Sequence, residues 1–393
     1  MISLEHYRKL LRQPQIGSAF IASVVGRLPI GMTGLAILLL FQFESGSFAY
    51  AGASVACYLL GLAVMAPLLG RIIDRSGPNA TLAVCGVVYP GALLALCAAS
   101  LSGAPAWAAL GLAGLAGASY PPITVCMRTF FRQRLSEDQL LSTAYSLESV
   151  LIESIFVIGP MLVAWFVAFA SPAAAVLFAA LCALAGAFLF LRSSALANWK
   201  IELHASPSFF GPLAEPGFAA LLAVVLCYSG TFGLIEIGVT AYASENGNPA
   251  MAGVLLGLMS VGSAFGGLAY GSRSWRLPLA RQFAAALLAI GGGVALLAAI
   301  RDPWLFAALS TLAGVVMAPA LTIQSMLVAK TAAPRFATEA FTWSSTALLA
   351  GVGAGLAAGG ALLEHAASPA VLASAGAVAG LGAACALWWL RRD

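Results

Sequence analysis

The sequence predicts an all-α membrane protein of twelve transmembrane helices in two six-helix parallel repeats, with both termini cytoplasmic. Three observations carry that prediction. The 393-residue chain is 61% hydrophobic and only 9% charged, against about 25% charged residues in a soluble globular protein, so a water-facing surface cannot be built from it. Its apolar runs, separated by Gly, Pro and charge clusters, number twelve, six on each side of a polar middle segment. The two sets also align under one shift of 196 or 197 positions.

A helix that crosses the hydrocarbon core needs about 20 apolar residues. The first run, 16–43, follows Arg8, Lys9 and Arg12 as a signal sequence would, but it is too long for a signal's apolar core and contains Arg27 and Pro29. It reads as a retained first span near 15–43. Spans two to six follow near 48–69, 80–101, 105–127, 139–169 and 172–191. Spans seven to twelve lie near 216–243, 249–270, 280–300, 303–329, 336–362 and 368–390. The break at 192–215 holds Lys200, Glu202, His204 and Glu215, which divides the chain into an N-terminal bundle 1–191, a linker 192–215 and a C-terminal bundle 216–393.

Orientation follows from Lys and Arg, which are retained on the cytoplasmic side during insertion. With the N-terminus inside, every Lys and Arg falls in a cytoplasmic segment except Arg27, within a span, and Arg301, in an outer loop; Arg71, Arg75, Arg128, Arg132 and Arg134 are among those assigned to the inside. The internal repeat is visible at Leu115-Ala116-Gly117 with Pro122 against Leu312-Ala313-Gly314 with Pro319, and at Gly159 against Gly355. An even number of spans per half implies parallel repeats about an axis along the membrane normal, with any site at mid-depth between them.

Composition also excludes classes. A net charge of +4 is small and dispersed, which argues against a nucleic-acid partner. Seven cysteines lie in apolar runs without C-x-x-C spacing, so no metal site or disulfide framework is expected. His6, His204 and His365 are all outside the spans, and no phosphate-binding loop is present, so the chain is expected not to be an enzyme and to need no cofactor.

The connector after span two reads Gly70-Arg71-Ile72-Ile73-Asp74-Arg75-Ser76-Gly77-Pro78-Asn79, and resembles the G-x-x-x-D-R-x-G loop of the major facilitator superfamily. The resemblance implies a gate loop at Gly70, Asp74, Arg75 and Gly77 that latches the outward-open state, Asp74 capping or pairing with a neighbouring helix end. At the repeat position Asp74 falls on Gly271, so the acidic latch is expected on one side only. Gly159-Pro160 in span five is similar to the Gly-Pro of drug/proton antiporters, though the glycine-rich pattern around it and the Arg early in span four are missing.

Ionisable groups at bilayer depth are costly and therefore candidates for function. They are Arg27, Glu148, Glu153, Glu236 and Glu339. Arg27 lies near the midplane and reads either as a cavity residue facing a carboxylate, water or anionic ligand, or as a structural brace. In span five, Ser142, Ser146, Ser149 and Glu153 share one helical face that is expected to line water or substrate; Glu148 and Tyr145 share another. Of the two glutamates, Glu153 is the cavity candidate and Glu148 the brace. Glu236 is either a coupling residue or an outer-vestibule acid, and Glu339 is equally a helix cap or a coupling residue. Tyr120-Pro121-Pro122 and Pro319 mark bends in spans four and ten, with Thr124, Thr322 and Gln324 beyond them as cavity lining or packing.

These residues predict a monomeric secondary transporter in a bacterial-type inner membrane, working by alternating access. The reading is proton-coupled efflux (antiport) of a small lipophilic organic solute or drug, neutral or cationic, powered by the proton gradient, with Glu153 or Glu236 carrying the proton and Arg27 tuning it. A proton-coupled importer (symporter) of a small metabolite is the alternative, and a non-transporting receptor or scaffold a further one.

Overall fold

The computed structural model describes residues 4–13, 16–45, 48–193, 196, 199–201, 211–248 and 251–389. The linker residues Glu202 and His204 lie outside the described residues. All twelve spans are present among them. They are Ile16–Ser45, Phe48–Ser76, Pro78–Leu101, a two-piece span four (Ala106–Ala118 and Ile123–Arg134), Asp138–Phe169 and Pro172–Leu191 in the first half. The second half has Pro216–Glu245, Met251–Gly271, Leu279–Leu297, a two-piece span ten (Pro303–Gly314 and Met317–Thr331), Ala337–Leu363 and Ser368–Trp389.

Local chemistry sets the ends. Span six begins with Pro172 in its first turn and the Ser171 hydroxyl accepting from the Ala174 amide at 3.1 Å; span ten begins with Pro303 and the Asp302 carboxylate accepting from Leu305 at 2.8 Å. Span four breaks where Pro121 and Pro122 remove two donors. Span ten breaks earlier than its proline suggests, at Val315-Val316. Pro319 then sits in the first turn of the new helix, where a missing N–H costs little.

Within each half, helices meet through glycine. A side chain on Gly117 would collide with the Tyr58 carbonyl of span two, and one on Gly314, its repeat partner, with the Met259 carbonyl of span eight. Gly159 packs on Gly31 in the same way, and its partner Gly355 on Gly230. The contacting glycines are related by the 196–197 shift and their partners by one a few residues longer, on the equivalent spans, so the repeat is structural as well as sequential.

Span five packs across on spans eight and ten, and span two on span eleven. These contacts gather at the end that carries the linker, called here the linker end. There one apolar core runs through both halves, with Phe131 and Tyr145 beside Phe341, and the Tyr145 and Phe341 rings 5.9 Å apart. At the opposite end a second core, including Met32, Leu40, Tyr89 and Val176, belongs to the N-terminal half alone. A short helix, Leu4–Leu11, not anticipated from sequence, docks under this closed end: the Tyr7 hydroxyl donates to the Leu268 carbonyl at 2.8 Å and Lys9 pairs with Glu137 at 2.9 Å.

Candidate functional site

The linker end is closed by a lock built from the span two–three loop. Asp74, 8% exposed, directs both carboxylate oxygens at the start of span eleven, accepting from the backbone N–H of Thr338 at 2.9 Å and of Glu339 at 2.8 Å. Those amides have no intrahelical acceptor, and the helix dipole places partial positive charge there. Gly70 lets the two spans touch, since a Cβ there would lie 2.6 Å from the Thr342 hydroxyl and 2.9 Å from the Glu339 Cα. Gly77 begins span three at φ +81°, a backbone angle that L side chains rarely adopt, and Arg75 is exposed. Arg71 donates twice to one oxygen of Glu339, at 2.6 and 3.1 Å. Glu339 thus lies in the lock, its buried carboxylate held by Arg71. At the repeat position, the Gly271 carbonyl accepts from Thr143 at 2.7 Å and from Gln139 at 3.3 Å, so a backbone oxygen does on one side what a carboxylate does on the other.

The serine face of span five is covered, which corrects the expectation that it lines water. Ser146 and Ser149 are 0% and 1% exposed. Ser146 donates to the Gly267 carbonyl of span eight, and Ser149 lies 3.4 Å from the Thr322 hydroxyl of span ten. Period alone gave the face but not what packs on it, and the glycines of span eight allow that approach. Only Glu153, at the top of the stripe, is partly open. Its carboxylate accepts from Ser263 of span eight at 3.0 Å, and Ser263 in turn accepts from the Ala318 amide at 2.9 Å, at the start of the second piece of span ten. A carboxylate from one half therefore ends a chain leading to a helix N-terminus of the other. Glu236 is exposed on span seven. Gln324 packs inside the C-terminal half, accepting from Tyr228 and donating to Ser344 at 2.8 Å. Thr124 is half-buried.

The deepest charges lie inside the N-terminal half. Arg128, assigned from sequence to a cytoplasmic loop, sits in span four with its side chain 12% exposed and pairs with Glu148 at 2.7 Å. Tyr145 donates to the Arg128 carbonyl at 3.2 Å. Glu148 thus joins span five to span four within one half. Arg27 is 0% exposed, and its Nε, Nη1 and Nη2 have no hydrogen-bond partner. The Tyr120 hydroxyl and the second Glu148 oxygen are likewise buried and unpartnered. Sequence reasoning found Arg27 and Glu148 but missed Arg128, whose partner lies on the next span. Among the described residues there is no cluster of three or more His, Cys, Asp and Glu suited to a metal.

Twelve spans in two repeat-related halves, locked at one end and separate in their cores at the other, define a multi-pass membrane protein with the major facilitator fold. No family model matches the sequence. Over 273 residues the chain is 24% identical to an uncharacterized MFS-type transporter, y4rN, of Sinorhizobium fredii; the match covers 64% of each protein, so the chain spans just under two thirds of the length of this curated relative. Among solved structures it is similar to a bacterial homologue of the iron transporter ferroportin in an outward-facing state, with TM-score 0.78, 15% identity, and 96% of this chain and 99% of that one covered. The human organic anion transporter MFSD10 gives 0.74 at 18% identity, covering 97% and 99%; the E. coli fucose:proton symporter FucP gives 0.70 at 14%, covering 96% and 98%. At these identities the likeness speaks for the fold, and it agrees with the resemblance read from the 70–79 loop.

Proposed function

We propose that this chain is a secondary transporter that moves a small organic solute by alternating access, rocking its two halves about the polar layer at Arg27, Glu148 and Glu153. The observation that carries the reading is the one-sided lock. The halves are joined through Asp74, Arg71, Glu339, Thr143 and Ser146 at the linker end. Such a contact set stabilises one conformation and must be released for the other. The linker end is the cytoplasmic face by the distribution of Lys and Arg, which makes the conformation outward-facing in a bacterial-type inner membrane. Two domains, 1–191 and 216–393, move against each other through the linker.

Protons supply the energy in this reading. Glu153 is the carrier, because its hydrogen bond to Ser263 joins the halves at the inner limit of the open side. A protonated carboxyl loses its charge attraction to the span-ten helix end, so loading and unloading bias the rocking. Export by antiport is the direction, as the Gly159-Pro160 resemblance suggests. The test is purified full-length protein in vesicles with an imposed pH gradient. Solute movement against its own gradient that is lost in Glu153→Gln supports the proposal; movement with protons rather than against them reverses the direction; no solute-linked proton flux with any solute leaves a receptor or scaffold.

A further inference from the structure

The N-terminal half holds more hydrogen-bond donors than it can use, and the excess is positive. Arg27 lies eleven residues into span one, about 16 Å along the helix, and a guanidinium keeps its proton there. Its three nitrogens, and the hydroxyl of Tyr120, are sealed from solvent and without a hydrogen-bond partner. Tyr120 lies in the break between the two pieces of span four, just before Ile123–Arg134. The N-terminus of that second piece abuts span one: a Cβ on Gly26 would lie 2.4 Å from the Ile123 side chain. A helix N-terminus carries partial positive charge and favours anions. Two arginines and one glutamate share the layer, and Glu148 is already engaged by Arg128 at 2.7 Å. One positive charge is left over. No counterpart stands in the other half, because a shift of 196 places Ala223 at the Arg27 position. Among the described residues there, the unpartnered buried groups are neutral: Thr231, Ser310, Trp343 and Thr346.

Leaving a buried guanidinium unpaired is strongly destabilising, and a carboxylate is the group whose geometry matches its planar fork. We infer that Arg27, assisted by Tyr120, is a binding site for the carboxylate of an organic anion, and that this anion is the solute class the chain carries. This replaces the neutral or cationic solute suggested by the apolar composition, and it rests on the transporter reading for its second half only. Glu148 positions the site by holding Arg128 at 2.7 Å, and its second oxygen is buried without a partner.

The experiment uses full-length protein in detergent, with acetate, benzoate and 2-naphthoate as probes. Each is compared with the alcohol and the primary amine on the same carbon skeleton, and binding is read by thermal stabilisation. The expected result is saturable stabilisation by at least one carboxylate, binding about tenfold or more tightly than its alcohol and amine. Arg27→Gln should abolish that preference, and Arg27→Lys, which keeps the charge but loses the fork, should retain part of it. Stabilisation by no carboxylate, equal stabilisation by alcohol and carboxylate, or an unchanged preference in Arg27→Gln overturns the proposal. Should Arg27→Gln fail to fold, the wild-type carboxylate-to-alcohol comparison and Arg27→Lys still decide it. Counterflow of the radiolabelled carboxylate in vesicles separates the two readings: binding without counterflow defeats transport and keeps the anion site, whereas counterflow of another solute with no carboxylate preference does the reverse.

Discussion

Removing the Asp74 carboxylate should open the linker end, by an amount that can be worked from its bonds. Asp74→Ala deletes two charge-assisted hydrogen bonds, of 2.9 and 2.8 Å, and leaves the first amides of span eleven without acceptors. A hydrogen bond to a charged group contributes about 1.5–3 kcal/mol; taking the low value for each gives about 3 kcal/mol. These bonds exist only while span two touches span eleven, so the loss falls on the closed state and not on the open one. About 3 kcal/mol corresponds to about a 150-fold change in the ratio of states, which would bring a ratio of about 100:1 close to 1:1. Asp74→Asn keeps one acceptor oxygen and should lie between, at about tenfold. The readout is alkylation of Thr129→Cys, a fully buried position 3.2 Å from Thr338 across the closed end, in a background with the seven native cysteines replaced by alanine. Membrane-impermeant reagent applied at the linker face should modify the Asp74→Ala protein many-fold faster than its Asp74 parent. Rates within about twofold of each other would show that the bonds do not hold the closed state.

Three further outcomes follow from the same geometry. Arg71→Ala leaves the buried Glu339 carboxylate without its partner and should cost about 3–5 kcal/mol of closed-state stability; adding Glu339→Gln should recover much of it, which a double-mutant cycle on the same alkylation rate measures. Ser263→Ala breaks the 3.0 Å hydrogen bond that ties the Glu153 carboxylate to the other half, and should slow proton-linked flux while leaving downhill solute exchange intact, whereas Glu153→Gln should abolish coupling; both are read in vesicles. Gly266→Val would place side-chain atoms against the Val315 carbonyl of span ten, so spans eight and ten must separate; overpacking of this kind costs about 1–3 kcal/mol and should lower the thermal midpoint in detergent.

What the sequence could and could not show follows from the range of the signals. Spans are local, and their polar breaks are written in consecutive residues, so the twelve helices and their grouping were legible. The Asp74 loop was legible for the same reason: Gly70, Asp74 and Gly77 stand within eight positions, and only their partner, the start of span eleven, had to be supplied by resemblance. Positions that depend on which face meets which neighbour were not legible. Ser142, Ser146 and Ser149 do share a face, but whether water or Gly267 covers it is decided by a helix more than a hundred residues away. Arg128 was counted as a loop cation because it follows an apolar run; its pairing with Glu148 depends on span four continuing to Arg134 after its break. Arg27 is the opposite case: the sequence marked it as an anomaly, and the fold leaves that anomaly unrelieved.

The most direct test of two rocking halves is a pair of distance measurements by pulsed electron resonance in lipid nanodiscs. One spin-label pair goes on Arg75 and Arg335 at the linker end, the other on Phe43 and Asn246 at the opposite end. Two rocking halves give two populations at each end, with the short distance at one end accompanying the long distance at the other, and their balance shifted by pH and by Asp74→Ala. A single unchanging distance at both ends, under every pH and with the lock broken, would contradict it.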